Sequence, residues 1–143
     1  MNKIEHIGIA VKDIDQANTL YEQLLGVPPY KQEIVESEAV ITSFFKVGEN
    51  KIELVASIRE DGPIGKFISK KGEGIHHIAF DVDDIEQELE RLEKEGFQLI
   101  NKIPKKGADN KLVAFIHPKT TNGVLVELCQ EAPPQPSQKR REH

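Results

Sequence analysis

The chain carries an internal repeat, and that repeat restricts the fold more than any other feature. The segment IEHIGIAVKDI begins at Ile4, and IHHIAFDVDDI begins at Ile75. Their histidines, His6 and His77, lie 71 residues apart. Further on, KIELV around Glu53 matches VLVEL around Glu127, and these glutamates lie 74 residues apart. A repeat of this length makes each copy one supersecondary unit that leans on its neighbour for a core. Each half opens on a strand bearing a His and closes on a strand bearing a Glu.

What lies between follows one plan. Ile14, Ala17, Leu20, Tyr21, Leu24 and Leu25 recur at helical spacing, with Asp13 as N-cap and Gly26 as stop. In the second half Ile85, Leu89 and Leu92 recur likewise, with Asp84 as cap and Gly96 as stop. Strand-like runs follow in both halves. Val40–Val47 and Lys51–Val55 are joined by the turn GEN, and Leu112–Ile116 and Val124–Leu128 by the longer HPKTTNG. Between the halves, Pro63–Lys70 reads as a short helix with Ile64, Phe67 and Ile68 on one side. We expect an α+β fold built of two repeats, residues 1–70 and 71–130, in a single domain. The final EAPPQPSQKRREH, residues 131–143, has no aliphatic side chain larger than alanine and reads as a disordered tail.

Bulk chemistry narrows the function. The formal net charge is −5, and the only basic cluster, Lys139, Arg140 and Arg141, lies in the tail, which argues against nucleic acid. No apolar run is long enough to span a bilayer, and MNKIEHIGIAV lacks a signal-peptide pattern, so we expect a cytoplasmic protein with no membrane partner. Cys129 is the single cysteine, which leaves imidazole and carboxylate as the groups available to hold a metal.

Strand side chains alternate between faces. His6 then shares a face with Gly8 and Ala10, and His77 shares one with Ala79 and Asp81. Ile7, Ile9, Val11, Ile78, Phe80 and Val82 take the other side. Glu53 and Glu127 likewise point away from their apolar neighbours. A lone strand histidine is more often a satisfied side chain than a ligand. Two His and two Glu at equivalent repeat positions are a stronger signal. Together His6, Glu53, His77 and Glu127 suit one divalent ion (Co, Mn, Ni, Zn or Fe). By alternation His76 falls on the face opposite His77 and reads as structural. His117 sits in a loop beside Pro118, and Cys129 reads as an inert thiol.

The HIGIAV opening, the KIELV strand, GEGIHHIAFDVDDI and GADNKLVAFIHPKTTNGVLVEL resemble the methylmalonyl-CoA epimerases of the glyoxalase/bleomycin-resistance (vicinal oxygen chelate) superfamily. The resemblance runs from about Ile4 to Leu128. It implies two tandem βαβββ modules forming one curved, cleft-bearing mixed β-sheet, a metal held by His6, Glu53, His77 and Glu127, a homodimer, and a small acyl-CoA substrate. The implied reaction interconverts (R)- and (S)-methylmalonyl-CoA by α-proton transfer through a metal-stabilised enolate. Thr42 stands where some members carry a catalytic Glu, with Glu36 and Glu38 nearby, so a metal-linked carboxylate, Glu53 or Glu127, is the expected base. Lys111 and Lys119 lie in family-like loops where CoA phosphates could be met. Two alternatives stay open. One is a glyoxalase I-like lactoylglutathione lyase with the same ligands; the other is a metal-free small-molecule-binding member of the superfamily. An extradiol dioxygenase fits less well, because Glu53 as a fourth ligand would crowd out oxygen.

Overall fold

The computed structural model describes residues 1–132. The first half comprises β1 (Lys3–Ala10), α1 (Ile14–Leu25), β2 (Lys31–Val35), β3 (Val40–Val47) and β4 (Asn50–Ser57). The linking helix is α2 (Pro63–Lys71). The second half comprises β5 (Gly74–Asp81), α3 (Ile85–Lys94), β6 (Lys105–Lys106), β7 (Lys111–Ile116) and β8 (Val126–Glu131). Both long helices begin where the sequence predicts. Asp13 and Asp84 accept hydrogen bonds from the backbone N–H of Gln16 and Gln87, satisfying amides that a helix start leaves orphaned. At the end of α1, Gly26 takes a left-handed conformation, φ 78°, that a residue with a Cβ disfavours.

All eight strands form one mixed sheet, in the order β2-β3-β4-β1-β5-β8-β7-β6. The order reads the same from either edge once the halves are exchanged. The halves meet at the centre, where β1 and β5 pair antiparallel, while β1–β4 and β5–β8 are parallel. The sheet curls into a half-barrel. On its convex face α1 covers Val11, Phe45, Leu54 and Ala56, and α3 lays Ile85, Leu89 and Leu92 on Ala114, Ile116 and Leu128. On the concave side α2 presses Ile64 onto Ala10, Val40 and Val55, with Phe67 and Ile68 beside it. The three apolar side chains predicted for this helix thus all face inward.

Three details depart from the sequence reading. The second strand of each module, β2 and β6, carried no recognised pattern. Each is a short sheet edge, and the KQEIV of β2 alternates intermediate and exposed positions. The last strand runs through Glu131, which pairs with Lys111, so the first residue assigned to the tail belongs to the sheet. The rest of that tail expectation, from residue 133 on, lies outside the described residues. Lys111, expected in a loop, is the buried first residue of β7, and its Nζ pairs with Glu131 at 2.8 Å.

Candidate functional site

The curl points the small-residue faces of β1 and β5 into one cleft, and the four repeat-related side chains meet on its floor. His6, His77, Glu53 and Glu127 are all buried. The two Nε2 atoms lie 3.1 Å apart. Glu53 Oε1 is 3.2 Å from each of them, and Glu127 Oε1 is 3.2 Å from His77 and 3.6 Å from His6. Donor atoms of His6, His77 and Glu127 all fall within 4.8 Å of one another. An ion bonded at about 2.0–2.2 Å sets its adjacent donors roughly 3.0–3.5 Å apart, so this spacing and donor set fit one divalent cation. Without one, two buried carboxylates need positive partners. Burial opposes a charge on His6, but the carboxylates of Glu127, Glu5 and Glu53 outweigh it and hold its pKa well above the usual imidazole range. Burial would likewise raise Glu53, yet the hydrogen bonds of His6 and His77 drive it well down.

Small residues make room for the rings. Gly8 pairs across the seam with His77, and Ala79 pairs with His6. A Cβ on Gly8 would lie 2.0 Å from His77 Cε1, so only glycine leaves the imidazole its place. Aromatic walls repeat with the same symmetry. Phe44, opposite Glu53, stands edge-on to His6 at 6.2 Å, and Phe115, opposite Glu127, does the same to His77 at 6.2 Å. The two phenylalanines are 71 residues apart, so the repeat had signalled them, although sequence reasoning did not single them out.

His76 corrects an expectation. Strict alternation sets it opposite His77, but the β1–β5 ladder slips twice. The register passes from Ile4↔Phe80 to His6↔Ala79, leaving Glu5 unpaired, and from Gly8↔His77 to Ile9↔Ile75, leaving His76 unpaired. Each slip is a β-bulge, which brings two successive side chains to one side. Glu5 and His76 therefore line the cleft beside the neighbouring histidines. His6 Nδ1 is 3.1 Å from Glu5 Oε1, and His77 Nδ1 is 2.9 Å from His76 Nδ1. Burial would raise the Glu5 carboxyl, but His6 and the Lys51 ammonium outweigh it and hold its pKa at about 2. Burial, with the charge of His77 added, pushes His76 down to about 4, and its ring stands edge-on to Phe67 of α2.

The remaining candidates fall in different places. Thr42 lies buried on the cleft wall, its hydroxyl 3.4 Å from the Glu33 carbonyl, with no group that can act as a base. Glu38 lines the mouth and is held by an ion pair to Lys105, whereas Glu36 is exposed. Cys129 lies inside β8, where burial raises its thiol, and it donates to Glu127 Oε2 at 3.1 Å. His117 accepts from the Lys119 amide at 3.0 Å and caps a short turn, on which Lys119 is exposed. Asp109, which sequence reasoning passed over, closes one side of the cleft. It binds Tyr30 at 2.9 Å, Lys31 at 3.3 Å and Lys51 at 3.2 Å, so the β6–β7 turn of the second half is fastened to the first.

Paired βαβββ modules, with imidazoles from their first strands and carboxylates from their last, define a class of half-barrel with a His/Glu floor. The chain belongs to the Glyoxalase/Bleomycin resistance protein/Dioxygenase superfamily, whose model matches residues 5–115. Within it the chain is 45% identical over 130 residues to the uncharacterized protein YqjC of Bacillus subtilis, covering 91% of this chain and 93% of that one. It is 36% identical over 132 residues to the ethylmalonyl-CoA/methylmalonyl-CoA epimerase of Cereibacter sphaeroides, covering 91% and 98%. A Streptomyces coelicolor methylmalonyl-CoA epimerase variant, solved in complex with 2-nitronate-propionyl-CoA, superposes with a TM-score of 0.88 at 31% identity, covering 93% and 99%.

Proposed function

We propose that this chain is a divalent-metal-dependent epimerase acting on methylmalonyl-CoA, with His6, Glu53, His77 and Glu127 as ligands. The observation that carries the reading is the convergence of these four side chains at ligand spacing on the floor of one cleft. Epimerase relatives that match along nearly the whole chain supply the substrate class. The nitronate of the Streptomyces ligand is planar and anionic at the carbon next to a thioester, as an enolate is.

The acidic carbon of methylmalonyl-CoA lies between a thioester and a carboxylate. Removing its proton gives an enolate, and returning one to the other face inverts the centre. A divalent ion bound at the floor supplies a Lewis acid for the negative charge that develops. The chain's own groups do the rest. A carboxylate of the floor, Glu53 or Glu127, is the base that takes the proton, since Thr42 has none to offer. Phe44, Phe115 and Val113 line the cleft with apolar surface, which keeps water from the carbanion and strengthens every charge interaction inside. Lys111 lies at the cleft, its Nζ paired with Glu131 at 2.8 Å.

The same reading takes residues 1–130 as one functional unit of two repeats. It places the protein in the cytoplasm as a homodimer, with exposed Leu20 and Leu24 of α1 as candidate contact residues. Among the described residues no helix is long and apolar enough to cross a membrane. The test is deuterium incorporation at the α-carbon of methylmalonyl-CoA in D2O, using Co(II)-loaded protein and a chelator-treated control. Metal-dependent exchange is expected. Absence of exchange with the ion bound would refute the assignment.

A further inference from the structure

We propose that Glu5 is a positioning residue for the metal centre: its carboxylate accepts a hydrogen bond from the Nδ1–H of His6 and so leaves the His6 Nε2 lone pair to the ion. The inference rests on the reading of the four-residue floor as an ion site and adds the layer behind it. Three observations carry it. First, Glu5 reaches the cleft only because of the bulge; in regular alternation it would face away from His6. Second, Glu5 is buried and its Oε1 lies 3.1 Å from His6 Nδ1, the ring nitrogen turned away from Glu53 and Glu127. Third, the carboxylate is anchored from behind by Lys51, whose Nζ is 3.3 Å from Oε1 and 3.2 Å from Oε2. A carboxylate fixed in this way accepts one hydrogen bond from one direction, which sets both the tautomer and the tilt of the ring. Partners of this kind raise the basicity of a ligating imidazole.

The second half repeats the device with different chemistry. His76, carried inward by the matching bulge, sets its Nδ1 2.9 Å from His77 Nδ1. A neutral imidazole is a weaker acceptor than a carboxylate. The two halves thus present the ion with unequal histidines, His6 backed by a carboxylate and His77 by an imidazole. Lys51 also holds Asp109 at 3.2 Å, so the anchor behind His6 is shared with the turn that closes the cleft.

The test compares Co(II) affinity, by competition with a chromogenic chelator, in the full chain and in Glu5→Gln and Glu5→Asp variants, alongside the visible Co(II) spectrum and the melting temperature of ion-free protein. Glu5→Gln is expected to weaken affinity by roughly 10- to 100-fold and to shift the Co(II) bands, with Glu5→Asp in between. Nitrogen NMR of Zn(II)-loaded wild type serves as a second measurement that needs no variant: His6 is expected as the Nδ1–H form with Nε2 on the metal. Wild-type affinity in Glu5→Gln, or a His6 proton on Nε2, would overturn the proposal while leaving the metal reading intact. A change confined to the melting temperature would also overturn it, as the mark of a merely structural ion pair. Failure of wild-type protein to bind Co(II) or Zn(II) would overturn both.

Discussion

Gly8 shows how much of this site hangs on a single missing atom. Across the seam from His77 it leaves the space that the imidazole ring fills. A methyl group there must move the ring or part the strands, and either takes the His77 nitrogen away from the other three ligands. Gly8→Ala is therefore expected to keep the fold and lose most of its ion affinity, read by isothermal titration with Co(II) beside a circular dichroism spectrum. Tight binding by this variant would mean that His77 is not a ligand. His6 makes a second prediction at this scale. In the ion-free protein its pKa is raised, so its contribution to stability is complete below the ordinary imidazole value near 6.5 and is lost as pH climbs through the raised one. Ion-free protein should melt lower in alkali than near neutrality, because deprotonation leaves Glu53 and Glu127 facing each other uncompensated. An ion must displace the same proton, so binding should release about one proton and weaken as pH falls. Titration in buffers of different ionisation enthalpy measures that release.

At the scale of elements, the sheet's two faces divide the work. The convex face supplies stability through α1 and α3, and the concave face holds the polar floor. Leu54, buried beneath α1, and Leu89 of α3, buried against the sheet, both face away from the cleft. Cutting either to alanine removes apolar burial and leaves a cavity, at about 2–5 kcal/mol. Leu54→Ala and Leu89→Ala should each lower the unfolding free energy measured in urea by that amount and leave Co(II) affinity nearly untouched. A variant that loses affinity in proportion to stability would show that the two faces are coupled. The elements legible in the sequence were those with a strong period or a cap. The face of α3, the caps Asp13 and Asp84 and the inward side of α2 are local features, whereas the period read for α1 included Leu20 and Leu24, which are exposed; alternation alone placed His6, His77, Glu53 and Glu127 on one side of the sheet. Strands β2 and β6 were not legible, because short edge strands carry too little apolar pattern to separate them from loop.

For the whole molecule, the question is what keeps a half-barrel curled. Two ties cross its mouth, Glu38 to Lys105 and the Asp109 cluster on Tyr30, Lys31 and Lys51. Glu38 and Lys105 are partly exposed, and such a pair contributes about 0–1 kcal/mol. Asp109 is better shielded and holds three partners, so it should govern the cleft. Asp109→Ala is expected to speed amide exchange through Gly107–Asn110 and to raise KM for the acyl-CoA more than it lowers kcat. Unchanged exchange in that turn would show that the cleft is held by the sheet alone.

The sequence by itself determined the two-module plan, the helices and their caps, and the four candidate ligands. Each is written in repeat spacing or in a period of two or 3.6, and neighbours along the chain can enforce it. Tertiary structure alone decided which residues stand behind those ligands. Glu5 and His76 turn inward because strands some seventy residues apart pair with two slips of register, and no local pattern records a slip. Asp109 reaches Lys51 because the sheet curls until one half touches the other, a distance set by packing on the concave face.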